Sequence, residues 1–217
     1  MRSYVAEFIG TFFLVFTVGC TVLAKAPFAP LAIGAVLMVM VYAGGHISGA
    51  HYNPAVTLAV LLRGRIRWTD AAAYWAAQLI AGVVAAIAAR YVVDPGEIAE
   101  LSPSGRALGT ALLAEAVFTL ALAYVVLNVA TSRDHPDNSF YGLAIGFTVA
   151  AGAFAVGGVS GGAFNPAVAT GAATMGVFAW TKLWIWLLAD LAGGALAAVA
   201  FLALNPEDRA PAETSAA

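Results

Sequence analysis

The fold is decided by two short stretches of sequence, Ser48-Gly49-Ala50-His51-Tyr52-Asn53-Pro54-Ala55-Val56 and Ser160-Gly161-Gly162-Ala163-Phe164-Asn165-Pro166-Ala167-Val168. Each joins a Ser-Gly pair to Asn-Pro-Ala-Val, and the second lies 112 positions after the first. The same offset aligns Leu31-Ala32-Ile33-Gly34 with Leu143-Ala144-Ile145-Gly146, and Gly82 with Gly194. So many matches at one offset indicate an internal repeat, each copy of which carries one Asn-Pro-Ala segment.

The composition places this repeat in a bilayer. Hydrophobic residues make up 62% of the 217 positions and charged residues only 10%, with a mean hydropathy of +0.87, which is far outside the range of soluble domains. The net charge of -2 has no excess of either sign that would favour a nucleic-acid partner. Cys20 is the one cysteine, which excludes an intrachain disulfide and a cysteine-based metal site.

The spacing of apolar segments predicts an all-α membrane protein. A spanning helix needs about 20 apolar residues, and six segments qualify, roughly 4–24, 29–46, 69–92, 106–130, 139–157 and 179–203. The two Asn-Pro-Ala segments are followed by apolar stretches too short to cross, which predicts re-entrant half-helices. Because each half has three spans, an odd number, the halves insert in opposite orientations, and the result is an inverted 3+3 repeat.

The same pattern predicts one membrane domain over 1–205, with repeat halves at about 1–92 and 106–203 and a short polar C-terminal tail at 206–217. Arg63, Arg65 and Arg67 form a basic cluster after the first half-helix. Loops rich in arginine and lysine stay in the cytoplasm. We therefore expect both termini to be cytoplasmic.

The two Asn-Pro-Ala segments predict helix starts that meet at mid-membrane. Asparagine is a favoured N-cap and proline a favoured first helical residue. Each half-helix start carries roughly half a positive charge, which repels cations. Asn53 and Asn165 have side-chain oxygens to cap the helices and amide N–H groups to offer to a neutral solute in the lumen. Pro54, Ala55, Pro166 and Ala167 complete the two segments.

These segments resemble a known family. The stretch from His46 to Thr57 and the stretch from Ser160 to Ala167 look like the paired signature loops of aquaporins and glycerol facilitators. Ala6-Glu7-Phe8-Ile9-Gly10-Thr11 and Ala114-Glu115 are similar to that family's first and fourth helices. The resemblance implies an hourglass fold, a homotetramer in the lipid bilayer with one pore per subunit, and passive conduction without a cofactor or metal. We expect the chain in a prokaryotic inner membrane.

The resemblance also locates a selectivity filter that departs from the family pattern. Spacings from the two asparagines place it at Ile33, Ala153, Gly162 and Val168. In water-selective members these positions are commonly an aromatic residue, a histidine, a small residue and an arginine, so only Gly162 matches. Val168 takes the place of the arginine and removes a fixed charge and a forked donor.

A filter that is wide, apolar and without arginine favours passage of bulkier uncharged molecules. Glycerol, urea, metalloid hydroxides such as arsenite, and protonated small acids all fit, and the sequence does not choose among them. The alternative is a strictly water-selective aquaporin. An ion-coupled transporter is disfavoured because the sequence has no acidic cluster to bind a coupling ion. A structural membrane protein is disfavoured because the short loops leave little surface for adhesion. An enzyme is disfavoured because the sequence has no evident nucleophile–base pair or metal-ligand cluster.

Four polar residues inside or beside the spans need an explanation. A charged side chain at the centre of a span costs roughly 2.5–3.5 kcal/mol on insertion scales, so Glu7, Glu115 and Asp190 need partners. In the family that the chain resembles, such glutamates accept hydrogen bonds from the half-helix loops; a proton relay is the alternative. We expect Asp190 to anchor the second loop, with a lumen-facing role as its alternative. His46 either gates the cytoplasmic mouth by protonation or bonds to backbone.

Overall fold

Eight α-helices dominate residues 1–209, which the computed structural model describes. Six of them are long and apolar enough to cross a membrane, and two are nine-residue half-helices. The predicted spans and half-helices are confirmed, with ends that differ by a few residues. The helices are α1 (Arg2–Leu23), α2 (Ala29–Ser48), α3 (Pro54–Leu62), α4 (Trp68–Val93), α5 (Gly105–Thr131), α6 (Tyr141–Ser160), α7 (Pro166–Thr174) and α8 (Trp184–Leu204).

The chain re-enters the membrane at two left-handed turns. Gly49 ends α2 at φ +82° and Gly161 ends α6 at φ +91°. Glycine adopts this conformation without a steric penalty, which makes it the usual residue just after a helix. Each turn is followed by a short loop and then by a half-helix, so the repeat seen in the sequence is also a repeat of backbone conformation.

The half-helices bind the two repeat halves together. In each half the first and last long helices pair, α1 with α4 and α5 with α8, whereas α3 packs against α8 and α7 against α4. Glycine makes both of these cross-contacts close. A Cβ atom on Gly82 would lie 2.6 Å from the Ala167 oxygen, and one on Gly194 would lie 2.5 Å from the Ala55 oxygen. Small residues let helices approach in this way in membranes.

The outside of the helix bundle is apolar. Large hydrophobic side chains remain exposed along the spans, for example Ile80, Phe147 and Val199, which are 58%, 53% and 65% exposed. A continuous apolar exterior is stable only in contact with lipid or another apolar surface. The protein is therefore an integral membrane protein.

The C-terminal end of the described chain is held to the bundle. A short 3₁₀ turn, Pro206–Arg209, follows α8. Asp208 in this turn is buried and forms an ion pair with Arg63 at 2.8 Å. Ser132 donates a further hydrogen bond to the same carboxylate at 2.9 Å. Residues 206–209 therefore belong to the folded body, and the rest of the predicted polar tail, 210–217, lies outside the described residues.

Candidate functional site

Each half-helix begins at the predicted asparagine. Asn53 and Asn165 have extended backbones and are followed by proline. The Asn53 side-chain oxygen accepts from the Ala55 N–H at 2.8 Å, and the Asn165 oxygen accepts from the Ala167 N–H at 2.9 Å. These bonds satisfy N–H groups that a helix start otherwise leaves without a partner.

The two asparagines also cross-link the repeat halves. The Asn53 side-chain amide donates to the Phe164 carbonyl at 2.8 Å, and the Asn165 amide donates to the Tyr52 carbonyl at 2.8 Å. Tyr52 and Phe164 have φ values of +48° and +49°, which are uncommon for residues other than glycine. One of the two N–H groups of each amide is therefore used to hold the opposite loop.

A cavity of about 450 Å³ runs past both asparagines. Its wall also contains Ile33, Ala153, Gly162 and Val168. The structure thus brings all four filter positions together with the Asn-Pro-Ala segments, although they come from α2, α6, the second re-entrant loop and α7.

The cavity wall contains no charged side chain among residues 1–209. Its polar side chains are those of Asn53, Asn165, His51 and Tyr52, and most other wall residues are aliphatic or glycine. Lys182, in the short 3₁₀ turn just before the last span, is not part of the wall. A solute in this cavity therefore meets a few hydrogen-bonding groups on an apolar surface, which is the usual construction of sites for small neutral molecules.

Two wall residues on the filter side were not identified in the sequence. Leu101 lies in the connection between α4 and α5, and Phe178 follows α7. The Leu101 N–H donates to the Val177 oxygen at 2.7 Å, and the Ala179 N–H donates to the Leu101 oxygen at 3.1 Å. These bonds hold the connection between α4 and α5 against the segment that follows α7.

The histidine at the cavity is His51 and not His46. His46 is exposed in the last turn of α2 and is not part of the cavity wall. His51 is buried and lines the wall, and its Nδ1 lies 3.0 Å from the Thr57 hydroxyl oxygen. The sequence could have indicated this, because His51 lies two residues before Asn53 and so belongs to the same re-entrant loop.

Glu7 anchors the first re-entrant loop from behind the wall. One of its oxygens accepts from the Ser48 hydroxyl at 2.7 Å and the His51 N–H at 2.9 Å, and the other accepts from the Tyr52 N–H at 2.7 Å. Gln78 donates to it as well, at 2.8 Å. With every oxygen engaged and no contact with the cavity, this glutamate has the geometry of a structural anchor.

Glu115 anchors the second loop in the same manner. It accepts from the Ala163 N–H at 3.1 Å and the Phe164 N–H at 2.7 Å. Asp190 is fully buried beside it and accepts from the Thr119 hydroxyl at 3.0 Å. Neither carboxyl group lines the cavity, so the geometry does not favour the lumen-facing alternative for Asp190.

Comparison with known proteins decides the family. The profile of the major intrinsic protein family matches residues 1–201. The chain belongs to this family. Glycerol uptake facilitator protein-like 6 of Lactiplantibacillus plantarum is 40% identical over 96% of this chain and all of its own length. Aquaporin NIP1-4 of Oryza sativa subsp. japonica is 37% identical over 93% of this chain and 76% of its own. The fold is similar to that of the aquaglyceroporin from Plasmodium falciparum, with a TM-score of 0.74, 22% identity and coverage of 95% of this chain and 99% of that one.

Major intrinsic proteins are membrane channels and not enzymes. This major intrinsic protein is accordingly a passive channel for water and small solutes. That result removes the coupled transporter and the structural membrane protein from the functions that the sequence allowed.

Proposed function

We propose that this channel conducts uncharged solutes larger than water, through a filter that has no arginine. The observation that carries the proposal is Val168, which lies three residues after Asn165 and forms the cavity wall with Ile33, Ala153 and Gly162. An apolar side chain there leaves the opening wide and without a fixed charge. Similarity to a glycerol uptake facilitator points in the same direction.

The solute class is small neutral molecules that carry hydroxyl or amide groups. The wall offers N–H groups of Asn53 and Asn165 and is otherwise largely apolar. Glycerol, urea, undissociated metalloid hydroxides such as arsenite, and protonated small acids share that chemistry. A bare ion finds too few partners in such a wall to replace its hydration shell.

Exclusion of cations depends on the two half-helix starts. Both asparagine-capped N-termini line the same cavity, and each adds roughly half a positive charge. Since no lysine or arginine side chain lines the wall within the described residues, these dipole ends are the local source of positive potential.

The assembly and its orientation complete the proposal. We place the chain as a homotetramer in a prokaryotic inner membrane, with both termini in the cytoplasm. Arg65 and Arg67 lie in the short connection between α3 and α4, which supports a cytoplasmic location for that face. The exposed apolar flanks of the spans supply surfaces on which subunits can associate.

A flux panel in proteoliposomes tests the proposed solute range. Purified protein is reconstituted, and the permeabilities for water, glycerol, urea and arsenite are measured against empty vesicles of the same lipid. Rapid flux of glycerol or arsenite that does not saturate with concentration supports the proposal. Flux of water alone would show the strictly water-selective alternative to be correct.

A further inference from the structure

The inverted repeat places a carboxyl group where its other half has an amide. Gln78 on α4 donates from Nε2 to Glu7 at 2.8 Å, and so completes the anchor of the first re-entrant loop. The equivalent position on α8, 112 residues later, is Asp190. Gln78 and Asp190 are both fully buried. The first half of the molecule thus shows what the second half requires at this position, which is a hydrogen-bond donor directed at a glutamate.

Asp190 lacks a donor for one of its oxygens. Oδ1 accepts from the Thr119 hydroxyl at 3.0 Å, but Oδ2 is buried without a donor from the described part of the chain. Thr119 lies one helical turn after Glu115 on α5, so its bond to Asp190 places the Asp190 carboxyl next to the Glu115 carboxyl. Two ionised carboxylates have only acceptors to offer each other, so this contact is favourable only if one of them carries a proton.

Within residues 1–209 no cationic side chain approaches the pair. The Ser160 hydroxyl and the N–H groups of Ala163 and Phe164 approach Glu115, whereas the Thr119 hydroxyl and the Asn165 N–H approach Asp190. Glu115 and Asp190 are the titratable side chains that the described structure brings to this point. An unpaired charge in such a place costs several kcal/mol, and two adjacent negative charges cost more.

The hydrogen bonds favour Asp190 over Glu115 as the carboxyl that holds the proton. Both oxygens of Glu115 accept backbone N–H groups, from Ala163 and Phe164, and this arrangement stabilises the anionic form. The Asp190 oxygen without a donor is the natural site for the hydrogen atom.

We propose that Asp190 is protonated in the folded channel and donates to Glu115, as Gln78 donates to Glu7. Asp190 is then a positioning residue for the second re-entrant loop. Glu115 holds the N–H groups of Ala163 and Phe164, which directly follow the filter residue Gly162 and precede the Asn165 cap. This inference does not depend on which solute the channel conducts.

Infrared spectroscopy of the reconstituted channel tests the protonation state. A protonated carboxylic acid has a carbonyl stretching band that is separate from those of carboxylates and amides and that shifts in D₂O. We expect the wild type to show this band at neutral pH and Asp190→Asn to lose it. Asp70→Asn is the control, since Asp70 accepts from Arg67 and Tyr4 at 2.8 Å and 2.7 Å and has the partners of a carboxylate; the band should persist there. A band that survives in Asp190→Asn would overturn the proposal.

Thermal unfolding as a function of pH provides the second measurement. Asn has the shape of Asp and a permanent N–H donor, so Asp190→Asn should match the wild type in melting temperature at neutral pH. Stability that depends on a bound proton is present while the proton is bound and is lost as pH rises. The melting temperature of the wild type should therefore fall at alkaline pH more than that of Asp190→Asn. Equal profiles, or an Asp190→Asn protein that does not fold, would contradict the proposed donor role.

Discussion

Replacing Val168 by arginine tests selectivity at one position. Val168 lies in the first turn of α7, is 6% exposed and faces the cavity with Ile33, Ala153 and Gly162. An arginine there is longer, is always charged and has five N–H donors. It would reach across an opening whose other sides are small or aliphatic.

The size of both effects follows from elementary estimates. A cation about 6 Å from the new charge, at an effective dielectric constant of about 20, is repelled by roughly 2.8 kcal/mol, or about a hundredfold in rate. For neutral solutes the main effect of the arginine is to narrow the opening and so raise the barrier to passage. A barrier increase of about 1.4 kcal/mol lowers flux about tenfold, and we expect at least this loss for glycerol but only a minor loss for water, which needs less room.

Stopped-flow light scattering on matched vesicles measures the water and glycerol permeabilities of the variant. Val168→Leu is the control, because it adds bulk without charge. It should lower glycerol flux modestly and leave cation exclusion unchanged. Equal proportional losses of water and glycerol flux in Val168→Arg would refute the claim that this position sets selectivity.

Two further substitutions test the barrier and the helix contacts. Asn165→Asp keeps a capping oxygen but puts a negative charge at a half-helix start and removes the donor to Tyr52. Cation conductance in vesicles should therefore rise. A variant that conducts neutral solutes normally and stays impermeable to cations would place the barrier elsewhere. Gly194→Ala puts a Cβ 2.5 Å from the Ala55 oxygen and should lower both melting temperature and flux. Gly109→Ala is the control, because apart from its own helical turn no described atom lies within 4 Å of the added Cβ, and it should lower neither. Similar losses in both variants would show that the close contact is unimportant.

The sequence predicted what depends on local chemistry and on the repeat. Spans follow from runs of apolar residues, and half-helix starts from Asn-Pro, so both are set by neighbouring residues. The family resemblance then located Ile33 and Val168 as parts of one filter, and both residues line the same cavity in the structure. The loop anchors formed by Glu7 and Glu115 were expected from the family resemblance, and the hydrogen bonds are present.

Contacts between distant, irregular segments could not be predicted from the sequence. Leu101 reaches the cavity through an isolated bridge to Phe178, and no periodic pattern encodes such a pairing. The basic cluster was interpreted only as a topology signal, but Arg63 is 5% exposed and paired with Asp208. Its partner lies 145 positions away in a segment predicted to be a tail, so burial of this arginine had no local signature.

In the described part of the chain no lysine, arginine, aspartate or glutamate lines the cavity wall, and this changes how selectivity against ions must arise. In a filter with arginine, one side chain both narrows the opening and repels cations, so the two properties are linked. In the filter that we propose, aliphatic and small residues such as Ala153 and Val168 set the width of the opening, whereas the positive potential comes from the starts of α3 and α7. Because the cross-links between Asn53 and Phe164 and between Asn165 and Tyr52 hold those starts in place, the cation barrier depends on backbone geometry. On this proposal the filter can widen for larger neutral solutes without loss of the cation barrier.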